Sequence, residues 1–153
     1  LFVLTIVWTF AGSAMEKSRH GSIPPEELEG WQKDGSVVYL GEARDVRPYV
    51  AQANVVVLPS WHEGTPTSIM EAMSMGRACV VTDVPGCREV VRDGVNGFLC
   101  PVKNPEALAE TMEKFLKNPS LAPAFGEAGR RMAVEEFDAQ KVADKILSDM
   151  YVR

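Results

Sequence analysis

Cysteine and histidine are scarce in this chain, with three of the first and two of the second in 153 residues. Cys79, Cys87 and Cys100 are odd in number and show no paired spacing, which argues against a disulfide framework and suits a reducing, cytoplasmic compartment. A structural zinc needs four closely spaced ligands. The three scattered cysteines with His20 and His62 do not supply that pattern, so no metal is expected. A basic excess is also lacking. Sixteen Lys and Arg face 21 Asp and Glu, for a net charge of −5, and a nucleic-acid footprint would show a basic stripe instead. Anionic small ligands stay open, because backbone amides and a helix dipole hold phosphate without net positive charge. No G-x-G-x-x-G follows a strand-like run, which disfavours a dehydrogenase-type dinucleotide fold. The apolar opening run, residues 1–10, is too short to span a bilayer as a helix. It also lacks the basic leader of a signal peptide. Its valine, isoleucine, threonine and aromatic content reads as a buried parallel strand at residues 2–9. The chain is therefore expected to begin inside a domain and to be a piece of something longer.

What is present is an ordinary globular composition, 46% apolar and 24% charged, in a length that suits one domain with a real core. Strand-like runs alternate with helical ones. A helix start at residues 22–27, with prolines and acids in its first turn, leads to a stop at Asp34-Gly35. Strands are expected at residues 37–40, 55–59, 78–82 and 97–100. Short helices are expected at 46–53, capped by Asp45, at 67–75 and at 85–92. From there the chain is helical, over 105–117, about 121–136 and 139–150. Valine-rich strands without period-two alternation, separated by helices, predict an α/β fold with a Rossmann-like, doubly wound parallel sheet and carboxyl-terminal helices.

The stretch Ser60-Trp61-His62-Glu63-Gly64-Thr65-Pro66-Thr67-Ser68-Ile69-Met70-Glu71 joins a strand end to a helix start. In open α/β sheets, ligands bind beyond the carboxyl ends of the strands. Gly64 allows close backbone approach or a positive φ. Pro66 suits a first helical turn. Ser68 and Glu71 have the S-x-x-E spacing of a capping box. Free amides near Thr67 and Ser68, with the positive end of the helix dipole, would form a site for a diphosphate. The capping box alone is an ordinary structural device. Two acids eight residues apart across a loop and a helix do not make a glycosidase pair, whose carboxylates must face one bond within about 5–10 Å. Glu63 and Glu71 therefore read as serving different parts of an extended, hydroxyl-bearing ligand.

The combined pattern Pro59-Ser60-x-x-Glu63-Gly64-x-Pro66-x-x-x-x-Glu71-Ala72-Met73-x-x-Gly76 resembles the E-x7-E signature of retaining glycosyltransferases of family 4, which have the GT-B fold. Val38-Tyr39-Leu40-Gly41 followed by Asp45-Val46, the run from Ala78 to Val91, and Asp93-Gly94-Val95-Asn96-Gly97-Phe98-Leu99 fall in register with the same family. The resemblance covers about residues 37–150. It implies that residues 1–153 are the carboxyl-terminal donor-binding half of a GT-B enzyme, whose acceptor domain is the implied partner. Glu63 would carry the catalytic role by holding donor-sugar hydroxyls. Gly64, Thr65 and Pro66 would line the sugar and diphosphate pocket, with Thr67 and Ser68 at the phosphates. Glu71 would hold the ribose, and Gly41 and Val46 would border the base. The donor would be a nucleotide-sugar, a UDP-sugar on the wording of Pro-Gly-Cys-Arg-Glu and Gly-Val-Asn-Gly-Phe-Leu. The acceptor would be a glycan or a lipid-linked carrier, with peripheral attachment at the inner membrane face through the acceptor domain. No metal cofactor is implied. The basic pair that stabilises the leaving diphosphate in this family lies upstream of the matching region, so the chain alone is expected to bind donor without transferring sugar. A sugar-nucleotide epimerase of similar architecture, or a non-catalytic sugar-nucleotide-binding module, are the alternative readings.

Overall fold

The computed structural model describes residues 24–41 and 43–151. The chain divides into two units, Leu1–Gln52 and Ala53–Arg153. The strand expected at residues 2–9, and residues 22 and 23 of the expected helix start, lie outside the described residues.

In the first unit, α1 (Pro25–Lys33) begins with a proline in its first turn beside Glu26 and Glu27. Proline fits there because its missing N–H would be unsatisfied anyway, and the acids complement the helix dipole. The helix stops at Asp34, and Gly35 turns the chain at φ +79°. The second helix, α2 (Arg47–Gln52), is introduced by Asp45 as expected. The Asp45 carboxylate accepts from the Arg47 amide at 3.0 Å and from its guanidinium at 2.9 Å. The expected strand at 37–40 is a correction. Val38 alone makes a bridge, and no regular strand forms, because extended residues become a strand only where the ladder of a neighbour continues.

The second unit runs β1 (Val55–Leu58), α3 (Thr67–Ser74), β2 (Ala78–Thr82), α4 (Pro85–Val90), β3 (Gly97–Cys100), α5 (Pro105–Lys117), α6 (Leu121–Glu136) and α7 (Ala139–Tyr151). The three strands are parallel in the order β1-β2-β3, with Val55 opposite Ala78 and Cys79 opposite Gly97. Parallel neighbours need a crossover, and α3 and α4 supply it. All five residues of the central strand β2 are buried, which is why Ala-Cys-Val-Val-Thr reads as a continuous apolar run rather than an alternating one. The α/β fold with a parallel sheet is as the sequence predicts.

Three devices fix the helices against this sheet. Phe98 of β3, Phe115 of α5 and Phe125 of α6 meet edge to face, with centroids 5.1–5.9 Å apart, the arrangement aromatic quadrupoles favour. Asn96 is fully buried, and its side chain accepts from the Arg92 amide at 2.7 Å and donates to the Val90 carbonyl at 3.0 Å. That satisfies a polar group whose burial would otherwise cost about 1–3 kcal/mol. Finally, α6 crosses the turn after α3 backbone to backbone. Gly76 takes φ +68°, and a Cβ on Gly126 would overlap the Gly76 carbonyl. At Gly129, one turn on, a Cβ would come 3.3 Å from the Met73 side chain.

These glycines give a paired prediction. Gly126→Ala must push α6 off the α3–β2 turn and is expected to destabilise the protein by about 2 kcal/mol or more, as overpacking against rigid backbone does. Gly129→Ala meets the side chains of Met73 and, at 3.6 Å, Asn96 rather than backbone, and should cost well under half of that. Urea unfolding midpoints of the two variants check the order.

Candidate functional site

The carboxyl ends of β1, β2 and β3 lie on one edge of the parallel sheet, and the turns leaving them hold most of the residues singled out above. The loop after β1 is anchored from the next strand, because the Thr82 hydroxyl donates to the Ser60 carbonyl. Glu63 is half-buried within this loop, while Gly64 and Thr65 are exposed. Pro66 is buried and stands at the N-cap of α3, with φ −75° and ψ 104°.

This corrects the capping box. Thr67 is the first residue of α3 and Ser68 the second, so the Ser68 hydroxyl stands two residues past the N-cap and cannot cap with Glu71. No side chain caps the helix. The Pro66 carbonyl accepts from the Ile69 and Met70 amides. The amides of Thr67 and Ser68 make no hydrogen bond with any described residue. Both residues are exposed, and so is Glu71, the fifth residue of the helix. An eight-residue helix thus opens with two free donors and no competing carboxylate cap, which is the arrangement that receives an anion.

The loop is shaped by α4 as much as by α3. A Cβ on Gly86 would overlap the carbonyl groups of Glu63 and Gly64, so the first turn of α4 touches this loop through bare backbone. Next to it, the Thr65 hydroxyl donates to Glu89 of α4 at 3.0 Å. Glu89 therefore faces the loop, a role that its sequence position as a helix residue did not disclose. The signal for Gly86 is legible as a Pro-Gly pair three residues past a strand end, but its partner is not. Arg88 is tied to Asp83 at 2.5 Å, and that hydrogen bond holds the Asp83 carboxyl below the usual carboxylate value. Lys103, at φ 56°, lays its ammonium 4.9 Å from the ring centre of the exposed Trp61. Behind the loop, Cys87 is buried and its thiol is pushed up to about 11, first by burial, then by the Glu63 carboxylate and by Cys100. Gly41, at φ +76°, and Val46, whose carbonyl starts α2, belong to the first unit. Glu63, Gly64, Thr65, Pro66, Thr67, Ser68 and Glu71 all belong to the second.

Residues 6–118 match the family model described as "Glycosyl transferases group 1". The chain is 31% identical over 113 residues to the N,N'-diacetylbacillosaminyl-diphospho-undecaprenol alpha-1,3-N-acetylgalactosaminyltransferase of Campylobacter jejuni, a match covering 74% of this chain and 30% of that protein. Among solved structures it resembles the sucrose-phosphate synthase of Thermosynechococcus elongatus, with a TM-score of 0.78 at 25% identity over 94% of this chain and 37% of that one. It also resembles HepE of Anabaena in complex with UDP, with a TM-score of 0.71 at 24% identity over 80% of this chain and 35% of that one. The chain thus spans about a third of the length of the curated relatives it matches.

Two outcomes are expected from this geometry. Gly86→Ala must displace the Glu63–Gly64 backbone, so an anion held at the start of α3 should bind about tenfold or more weakly, as titration with a nucleoside diphosphate would read. Cys87 should resist thiol reagents at pH 8 in the native state and react once unfolded. Its folded value lies above the ordinary 9.0, so the folded state keeps a proton that the unfolded state gives up. Stability should therefore be full below pH 9 and fall as pH rises from 9 towards 11, measured as the unfolding midpoint in a pH series with and without Cys87→Ala.

Proposed function

Because this chain belongs to the group 1 glycosyl transferases, we propose that it is the carboxyl-terminal, donor-binding half of a retaining glycosyltransferase of family 4, and that its ligand is a nucleotide-diphospho-sugar. One observation carries the reading: two unbonded amides, those of Thr67 and Ser68, open an uncapped helix at the carboxyl edge of a parallel sheet between Glu63 and Glu71. The amides and the helix dipole suit a diphosphate. The two carboxylates suit hydroxyl groups on either side of it, because an ionised carboxylate accepts hydrogen bonds without donating.

In this reading Glu63 receives the donor-sugar hydroxyls and is the catalytic residue of the chain. Gly64, Thr65 and Pro66 line the sugar and diphosphate, and Glu71 accepts from the ribose. A UDP-sugar is the donor we favour, and the complex of HepE with UDP supports that choice. The acceptor we favour is a glycan or a lipid-linked carrier, supported by the undecaprenol-linked acceptor in the name of the Campylobacter relative. Retention follows if the acceptor oxygen bonds to the anomeric carbon on the face that the diphosphate leaves, while a diphosphate oxygen takes the acceptor proton.

Stabilising the charge on the leaving group supplies a large share of such a rate. Arg88 and Lys103, two cations at this edge, are already engaged by Asp83 and Trp61. We therefore expect donor binding from the chain alone, with transfer requiring basic groups from an acceptor domain and no protein-bound metal. Among the described residues no helix is long and apolar enough to cross a membrane. We propose a cytoplasmic location, with any membrane contact made through the acceptor domain.

Calorimetric titration with UDP-, GDP- and ADP-sugars tests the reading. One of the three should bind, most tightly the UDP-sugar, and a chelator should leave the isotherm unchanged. Glu71→Ala should weaken both the free nucleotide and the nucleotide-sugar about tenfold, as loss of a charged hydrogen-bond partner does. Glu63→Gln should weaken the nucleotide-sugar and leave the free nucleotide untouched. Flat traces for all three donors would overturn the proposal, and sugar transfer by the 153-residue chain alone would overturn the division of labour.

A further inference from the structure

We propose that Glu89 is a positioning residue of the donor site, acting through the Thr65 hydroxyl to hold the 63–66 loop in its binding geometry. The inference rests on the donor-binding reading above, and two independent observations carry it. The Thr65 hydroxyl donates to the Glu89 carboxylate at 3.0 Å, across a sequence separation of 24 residues. Directly beside that bond, the carbonyls of Glu63 and Gly64 rest on the bare backbone of Gly86, one turn earlier in α4. Gly86 blocks the loop from moving towards α4, and Glu89 keeps it from moving away. The loop is thus clasped from both directions by a single short helix.

The clasp matters because the middle of the loop, between the anchored Ser60 and the buried Pro66, has little else to fix it. Gly64 and Thr65 are exposed, and their own amides bond to no described residue. Glu63 lies within this segment, so its carboxylate goes wherever the backbone goes. A displacement of about 1 Å at a reacting group costs as much as two orders of magnitude in rate. The hydrogen bond also defines what Thr65 contributes. A hydroxyl has one proton to donate, and here it goes to Glu89. Thr65 therefore serves the ligand by fixing the backbone ahead of Pro66 and the free amides, rather than by donating to a phosphate. The carboxylate of Glu89 needs only to accept in this arrangement, so its charge is dispensable and its acceptor oxygen is not.

That distinction defines the test. Glu89→Gln keeps an acceptor and loses the charge, Glu89→Leu loses both, and Thr65→Val removes the donor. UDP, GDP and ADP are titrated by calorimetry into the wild-type chain, the three variants and the Glu89→Leu/Thr65→Val pair, with thermal melts confirming that each is folded. Glu89→Leu should weaken the nucleotide that binds by about three- to tenfold, the range of one hydrogen bond. Thr65→Val should weaken it equally, the double variant no further, and Glu89→Gln should stay within about twofold of wild type. Additive losses, a Gln variant as weak as the Leu variant, or a Leu variant that binds like wild type would each overturn the proposal. If the wild-type chain binds none of the three nucleotides, the donor-binding reading fails. The clasp is then judged by backbone amide order parameters of residues 63–65, which should fall in Glu89→Leu and hold in Glu89→Gln. Unchanged order in the Leu variant would overturn it.

Discussion

The second unit depends on backbone meeting backbone with no side chain between. It happens where Gly86 receives the Glu63–Gly64 carbonyls, where Gly126 receives the Gly76 carbonyl, and where Gly97 pairs into the ladder against the Cys79 carbonyl. Each contact sets a spacing that no rearrangement of rotamers can recover, because carbonyl groups do not yield as side chains do. The first places the loop after β1, the second places α6 against the turn after α3, and the third lets β3 close on β2. The aromatic trio and the buried Asn96 then fill and tie a frame whose separations are already set.

Much of this is legible in the chain, and the exceptions have physical causes. The run Ala-Cys-Val-Val-Thr declares a central parallel strand because burial on both faces removes any alternation. The helix expected over 105–117 forms as α5, and the Asn104 side chain accepts from the Ala107 amide at 2.9 Å to cap it. The start of α3 is harder to read. Ser68 and Glu71 have capping-box spacing, but spacing cannot reveal that Pro66 already holds the N-cap and shifts Ser68 into the helix. Residues 37–40 mislead because apolar composition announces a willingness to pair, while a strand also requires a neighbour along its whole length.

The site separates into what a motif can carry and what only a fold can carry. Glu63, Gly64 and Glu71 belong to one continuous stretch, so their spacing is visible. Gly86 and Glu89 act from a different turn more than twenty residues away. No local pattern links them to the loop they hold, and a Pro-Gly pair after a strand reads equally well as an ordinary turn. Cys87 behaves similarly. Its sequence neighbours say nothing of the Glu63 carboxylate and Cys100, which join burial in keeping the thiol protonated.

The uncapped start of α3 has a consequence for kinetics. Under the proposed reading, an anion arriving at the Thr67 and Ser68 amides would displace no intramolecular cap, so no protein hydrogen bond would have to break before it docked. The chain carries a net charge of −5, which would oppose the approach of a diphosphate from a distance even if the helix end favoured it at contact. Long-range repulsion is screened within about 8 Å at physiological ionic strength, while a contact inside the site is not. Added salt would therefore hasten capture of the ligand before it began to loosen its grip, the reverse of what a basic anion-binding surface would do.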